Sequence, residues 1–129
     1  MNDCDSLDSE DASMIRRLHT GPRMSQAVIH GNTVYLAGQV AEDPSQDVAG
    51  QTRQILAAID RLLAEAGTDK TRILSANVYL ADIGTFAQMN SAWDPWVAKE
   101  QPPARATVEA RLAAPAYKVE IQVVAALTS

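Results

Sequence analysis

The alternation of apolar and polar residues makes the start of the chain β and turns it helical near residue 47. Short β-favouring runs cover Met14 to His19 and Ser25 to Val40. The segment AVIHGNTVYLAGQV predicts a hairpin: Ala27 to His30, a Gly31-Asn32 turn, then Thr33 to Ala37, rich in β-branched and aromatic residues. The polar stretch AEDPSQD breaks this pattern. Apolar residues then fall at Val48, Ile55, Leu56, Ile59, Leu62, Leu63 and Ala66, the spacing of one helix face, so a helix is expected from Asp47 to Ala66 with Gly67 as its stop. Ile73 to Leu80 reads as a strand anchored by Ile73, Val78 and Leu80. A second helical pattern follows Asp82, with Phe86, Met89, Asn90, Trp93, Trp96 and Val97 on one stripe. Pro95 lacks a backbone donor, which predicts a kink or a break near Trp93.

Two further strands close the chain. In the first, Ala104, Ala106, Val108 and Ala110 alternate with Arg105, Thr107, Glu109 and Arg111. In the second, Val119, Ile121, Val123 and Ala125 alternate with Lys118, Glu120, Gln122 and Val124. Paired antiparallel with their aliphatic sides together, these strands would put Arg105 and Glu120 on a shared polar face turned away from the helices. Glu109 is then a possible closer neighbour of Glu120. The face is open to two readings: solvated cross-strand charge pairs, or a functional site. Asn90 interrupts an apolar stripe and is either a structural clamp or part of a polar pocket. The order β-β-α-β-α-β-β has few helices, enough to cover one side of a sheet, so an α+β two-layer domain is expected. Its other side needs a partner or water.

Charge narrows the partners. Asp3, Asp5, Asp8, Glu10 and Asp11 precede any base, which leaves eleven acids against eleven bases in the remainder and places the whole net charge of −5 in residues 1–13. A neutral body offers no broad footprint for a polyphosphate, so nucleic acid is not expected as a partner. The acidic segment lacks the glycine turn and terminal glutamate of a calcium loop and is expected to be a disordered tail, with residues 14–129 as a single domain. It also lacks a basic start and an apolar stretch, so no secretory signal is read there, and no apolar run is long enough for a membrane span. A cytoplasmic location is the resulting expectation. The lone Cys4 excludes an internal disulfide and a cysteine-based metal site.

The segments VYLAGQV, QTRQILAAIDRLLAEAG, FAQMNSAW and PPARATVEARLAAPAYKVEI together resemble the reactive-intermediate deaminase family, called RidA or YjgF and, in older usage, L-PSP endoribonuclease or translation inhibitor. The likeness runs from about Met24 to Ala126. It implies a chorismate-mutase-like fold with a mixed sheet and two helices on one face, and a homotrimer with sites in the clefts between chains. It implies hydrolysis of enamines and imines to 2-keto acids and ammonia, with no cofactor and no metal held by the protein. By position, Arg105 matches the arginine that grips the substrate carboxylate, a task suited to the bidentate guanidinium fork. Glu120 matches the glutamate that holds or activates the attacking water. Asn90 and Gly38 match further site positions.

The chain departs from the family at three places. Arg23 or Met24 stands where many members carry tyrosine, Ala37 where serine is frequent, and Thr107 where cysteine is frequent. Met24, Ala37 and Thr107 are therefore candidate substrate contacts with altered chemistry. Two other functions compete with imine hydrolysis: a trimer that binds small carboxylates or a partner protein without catalysis, and RNA cleavage. The neutral body, and His19 and His30 as the sole histidines, make RNA cleavage the weakest of the three.

Overall fold

The computed structural model describes residues 14–128; the segment read as an acidic tail lies outside the described residues. The elements are β1 (Ile15–Thr20), β2 (Ser25–His30), β3 (Thr33–Leu36), α1 (Val48–Ala66), β4 (Ile73–Leu80), α2 (Phe86–Trp96), β5 (Ala104–Glu109) and β6 (Val119–Ala126). The expected order is present, preceded by β1, which forms from the first β-favouring run. Six strands make one sheet in the order β1-β2-β3-β6-β4-β5. Only β4 and β5 run parallel, so the sheet is mixed. Two helices on a mixed sheet make the α+β two-layer fold expected for a chorismate-mutase-like domain.

Local chemistry sets the element ends. Gly31, with φ 62°, supplies the left-handed residue of the two-residue β2–β3 turn. Asp47 caps α1 by accepting the Gly50 N–H at 2.8 Å. Gly67, with φ 96°, ends that helix. Its N–H donates to Ala64 O at 3.1 Å and the Thr68 N–H donates to Leu63 O at 2.9 Å, a Schellman closure. Pro95 sits in the last turn of α2, which runs on to Trp96 instead of breaking near Trp93. The helix ends there with the Val97 N–H on Trp93 O at 2.9 Å.

One stripe of α1, including Ile55, Leu56, Ile59 and Leu63, packs with Val34, Leu36, Val78, Leu80, Ile121 and Val123 into the core. Each such side chain contributes about 1.5–3 kcal/mol by leaving water. Gln51 and Thr52 are fully buried polar residues of the same helix, and Gln51 reaches beyond it. Its Nε2 donates to Pro44 O at 2.9 Å and to Gln46 O and Ala116 O at 3.1 Å, and its Oε1 accepts the Lys118 N–H at 2.9 Å. One amide thus ties two loops to α1. Gln51→Leu keeps the volume but orphans these backbone groups, so we expect a loss of roughly 3 kcal/mol. Urea unfolding should show a lower midpoint at an unchanged slope.

Two expectations for the last strands are corrected. First, β5 and β6 form no hairpin: β4 lies between them, antiparallel to β6 and parallel to β5. Secondly, Arg105 and Glu120 do not share a face. Arg105, Thr107 and Glu109 stand in register with Ala76, Val78 and Leu80, which are buried beneath the helices. Those three residues therefore point to the helix side, and Ala104, Ala106 and Val108 to the open side. On β6 the alternation runs as expected, with Val119, Ile121, Val123 and Ala125 fully buried and Glu120 on the open side. Glu109 is no neighbour of Glu120 either; its Oε1 accepts the Ile83 N–H at 3.0 Å. The inversion has a physical cause. Alternation reports the core side only when the other face meets water, and here the edge strand keeps its small apolar residues for the open face.

Candidate functional site

Arg105 lies across the sheet-facing stripe of α2. Its Nη1 donates to Asn90 Oδ1 at 2.9 Å and also faces Met89 Sδ at 3.9 Å. Its Cζ stands 5.0 Å from the Trp93 ring centroid and 5.7 Å from that of Phe86, within cation–π range of both. These contacts follow from helical spacing, since residues 86, 89/90 and 93 recur on one face of α2. Asn90 is thus the clamp on the guanidinium. Burial lowers the Arg105 pKa from its ordinary value, and the negative charge of Asp94 acts in the opposite sense. The group remains a cation at neutral pH. Among the described residues no carboxylate forms a salt bridge with it. Thr107, two residues on and on the same side, carries a buried Oγ1 with no hydrogen-bond partner.

Glu120 occupies the opposite face, in register with Tyr79. Arg105 is in register with Ala76, three residues away along β4. Two strand spacings separate β5 from β6, about 10 Å, and three residues along a strand add about 10 Å more. Arg105 and Glu120 of one chain therefore cannot converge on one small molecule. Beside Glu120 passes the segment after β3. It is pinned by the Gln39 N–H on Ile121 O at 2.8 Å and the Ile121 N–H on Gln39 O at 3.1 Å. A Cβ at Gly38 would lie 2.9 Å from Glu120 Cδ and 3.2 Å from its Cγ. Gly38 thus lets backbone approach the carboxylate. The Ala37 N–H donates to Gln26 O at 2.9 Å. Met24 precedes that strand position by two residues and is 50% exposed in the β1–β2 turn.

The candidate residues fall into two sets: Arg105, Asn90 and Thr107 under α2, and Glu120 with Gly38 and Ala37 on the open side, with Met24 at the turn leading into β2. Phe86 and Trp93 were not predicted as site residues, because helical spacing alone reads them as core. A cavity of about 770 Å³ at the β5–β6 connection, lined by Glu109, Arg111, Leu112 and Tyr117 among others, contains neither Arg105 nor Glu120. Gly38→Ala should displace the flexible Glu120 carboxylate instead of unfolding the chain. We expect its thermal midpoint to stay within a few degrees of wild type while any Glu120-dependent turnover falls about tenfold or more. Differential scanning fluorimetry beside steady-state kinetics separates the two effects.

The sequence model of the endoribonuclease L-PSP family matches residues 14–127. A RutC family protein of Haemophilus ducreyi is 49% identical over 114 residues, covering 88% of this chain and 97% of the relative. The RutC family protein YoaB of Escherichia coli is 47% identical over 113 residues, covering 88% and 98%. The crystal structure of a YjgF family member from Neisseria meningitidis superposes with a TM-score of 0.89 at 47% identity, covering 92% of this chain and 98% of that one. The chain belongs to the endoribonuclease L-PSP family, whose relatives carry the RutC and YjgF names. Among the described residues no helix is long and apolar enough to cross a membrane, and no three His, Cys, Asp or Glu side chains are grouped to hold a metal ion.

Proposed function

We propose that the protein hydrolyses reactive enamines and imines, as 2-imino acids, to 2-keto acids and ammonia, acting in the cytoplasm without a cofactor. Arg105 binds the substrate carboxylate. Water adds to the imine carbon as Glu120 takes its proton and the C=N π pair moves to nitrogen, which is protonated; the added hydroxyl then gives up its proton, its oxygen forms the C=O of the 2-keto acid, and the C–N bond breaks to release ammonia from the protonated nitrogen. The observation that carries this reading is the state of Arg105: a half-buried cation, held by Asn90 and two rings, without a carboxylate partner among the described residues. Such a group is prepared for an anion from outside. Thr107 Oγ1, buried and unpartnered, offers a further hydrogen bond beside it.

The site belongs between chains of a homotrimer, in which one chain supplies Arg105, Asn90 and Thr107 and its neighbour supplies Glu120, Gly38, Ala37 and Met24. Two observations support this. The two sets lie on opposite faces of one sheet, so a single chain cannot complete the site. The open face also carries apolar residues in register: Val28 beside Tyr35, Tyr35 beside Val124, and Tyr79 beside Val108. Tyr35 and Val108 are 46% and 48% exposed, a surface suited to a second copy.

Imino acids generated in situ with an amino-acid oxidase provide the test. Faster ammonia release in the presence of the protein supports the reading. Binding of 2-keto acids with no acceleration would instead establish the non-catalytic carboxylate binder. RNA cleavage gains nothing from the geometry. His19 bonds Glu65 at 2.6 Å, and His30 pairs with Ile15 at the far end of the β1–β2 hairpin.

A further inference from the structure

Building on that reading, we propose that the site takes 2-imino acids with large apolar side chains and that Phe86 is the residue that selects them. Phe86 is 42% exposed although its ring stands beside the guanidinium of Arg105. The neighbouring Trp93 is 5% exposed and belongs to the core. The two aromatic residues thus do different jobs: Trp93 supports the arginine from below, and Phe86 leaves apolar surface beside it uncovered. A carboxylate on the free edge of the fork sits about 3 Å from the guanidinium nitrogens. A substituent on the adjoining carbon, when turned toward Phe86, meets that ring, whose centroid is 5.7 Å from Cζ.

The rest of the surroundings agree in character. Met89 Sδ lies against Nη1 on the same helix face. Under the composite-site reading the neighbouring chain brings Met24, 50% exposed, and Ala37, neither with a hydroxyl or a charge. The unpartnered hydroxyl of Thr107 lies on β5 with Arg105 and serves the carboxylate end of the ligand. A charged substituent placed against Phe86 and Met24 loses its hydration without replacement, whereas a leucine-like or phenylalanine-like one gains contact. One methylene in an apolar pocket discriminates by about tenfold or more.

The experiment compares imines generated from alanine, leucine, phenylalanine and glutamate, using the full chain as wild type, Phe86→Ala and Phe86→Leu. For the wild type, kcat/KM for the leucine and phenylalanine imines should exceed that for the alanine imine at least tenfold, with the glutamate imine lowest. Phe86→Ala should collapse the apolar-to-alanine ratio by about tenfold. Phe86→Leu retains apolar bulk and should preserve most of the leucine-to-alanine ratio, which guards against a folding defect in the smaller variant. A flat wild-type profile, or one equal loss across all four imines in Phe86→Ala, overturns the assignment of Phe86 while leaving imine hydrolysis in place. Failure of the wild type to hydrolyse any of the four removes the parent reading and this one with it.

Discussion

Arg105→Ala is expected to lower kcat/KM for a 2-imino acid about 100- to 1,000-fold, the range for truncating one partner of a hydrogen-bonded charge pair. The size follows from the environment. The guanidinium is oriented before any ligand arrives by Asn90 at 2.9 Å and by the Trp93 ring at 5.0 Å, so little ordering is left to do on binding. Burial makes each charge-assisted hydrogen bond stronger than it is in open water. Arg105→Lys keeps the charge but loses the planar fork and its stacking, and should recover only part of the rate. An imine whose carboxylate is esterified provides the control, because its hydrolysis should be no slower in Arg105→Ala than in wild type. Gel filtration of the variant should match wild type. Turnover of imino acids near the wild-type rate in a folded Arg105→Ala protein would remove the carboxylate anchor from the account.

Positional pattern made most of this fold readable. Ile73 to Leu80 forms β4 at the expected residues, and Asp47 and Gly67 bound α1 as their chemistry requires. The side chosen by β5 was not readable, because its alternation of small and charged residues fits either orientation. The choice depends on α2, which covers Arg105 with Phe86, Asn90 and Trp93, and on the open face, which accepts Ala104 and Val108. Neither condition is local to the strand. The position of β4 between β5 and β6 was hidden for a related reason: the segment from Ala110 to Lys118 carries no tight-turn signature that would mark a hairpin or exclude one. Of the candidate site, Arg105 and Asn90 are brought together and Gly38 is placed against Glu120. The exposure of Phe86 was invisible because an aromatic residue at helical spacing normally reads as core, yet this residue is 42% exposed.

Glu120→Gln should reduce turnover about 100- to 10,000-fold with little change in carboxylate binding, since an amide of the same shape cannot take the proton from water. The loss should fall on kcat, whereas Arg105→Ala also raises KM. The two variants together test the architecture as well as the chemistry. If a site draws Arg105 from one chain and Glu120 from its neighbour, a trimer mixed from the two inactive variants contains some sites in which both residues are intact. Random mixing in equal amounts makes the arginine-supplying chain intact in half of the sites and the glutamate-supplying chain intact in half of those. About one quarter of wild-type activity should therefore return in the unfractionated mixture of closed cyclic trimers, and about one third in the trimers that contain both variants, each of which has one intact site in three. Co-expression with two different tags, followed by tandem purification, isolates the mixed species and excludes the parents. Native mass spectrometry of that species reports the subunit number directly. A mixed trimer as inactive as its parents would place both groups in one chain's site, which the opposite orientations of β5 and β6 side chains argue against.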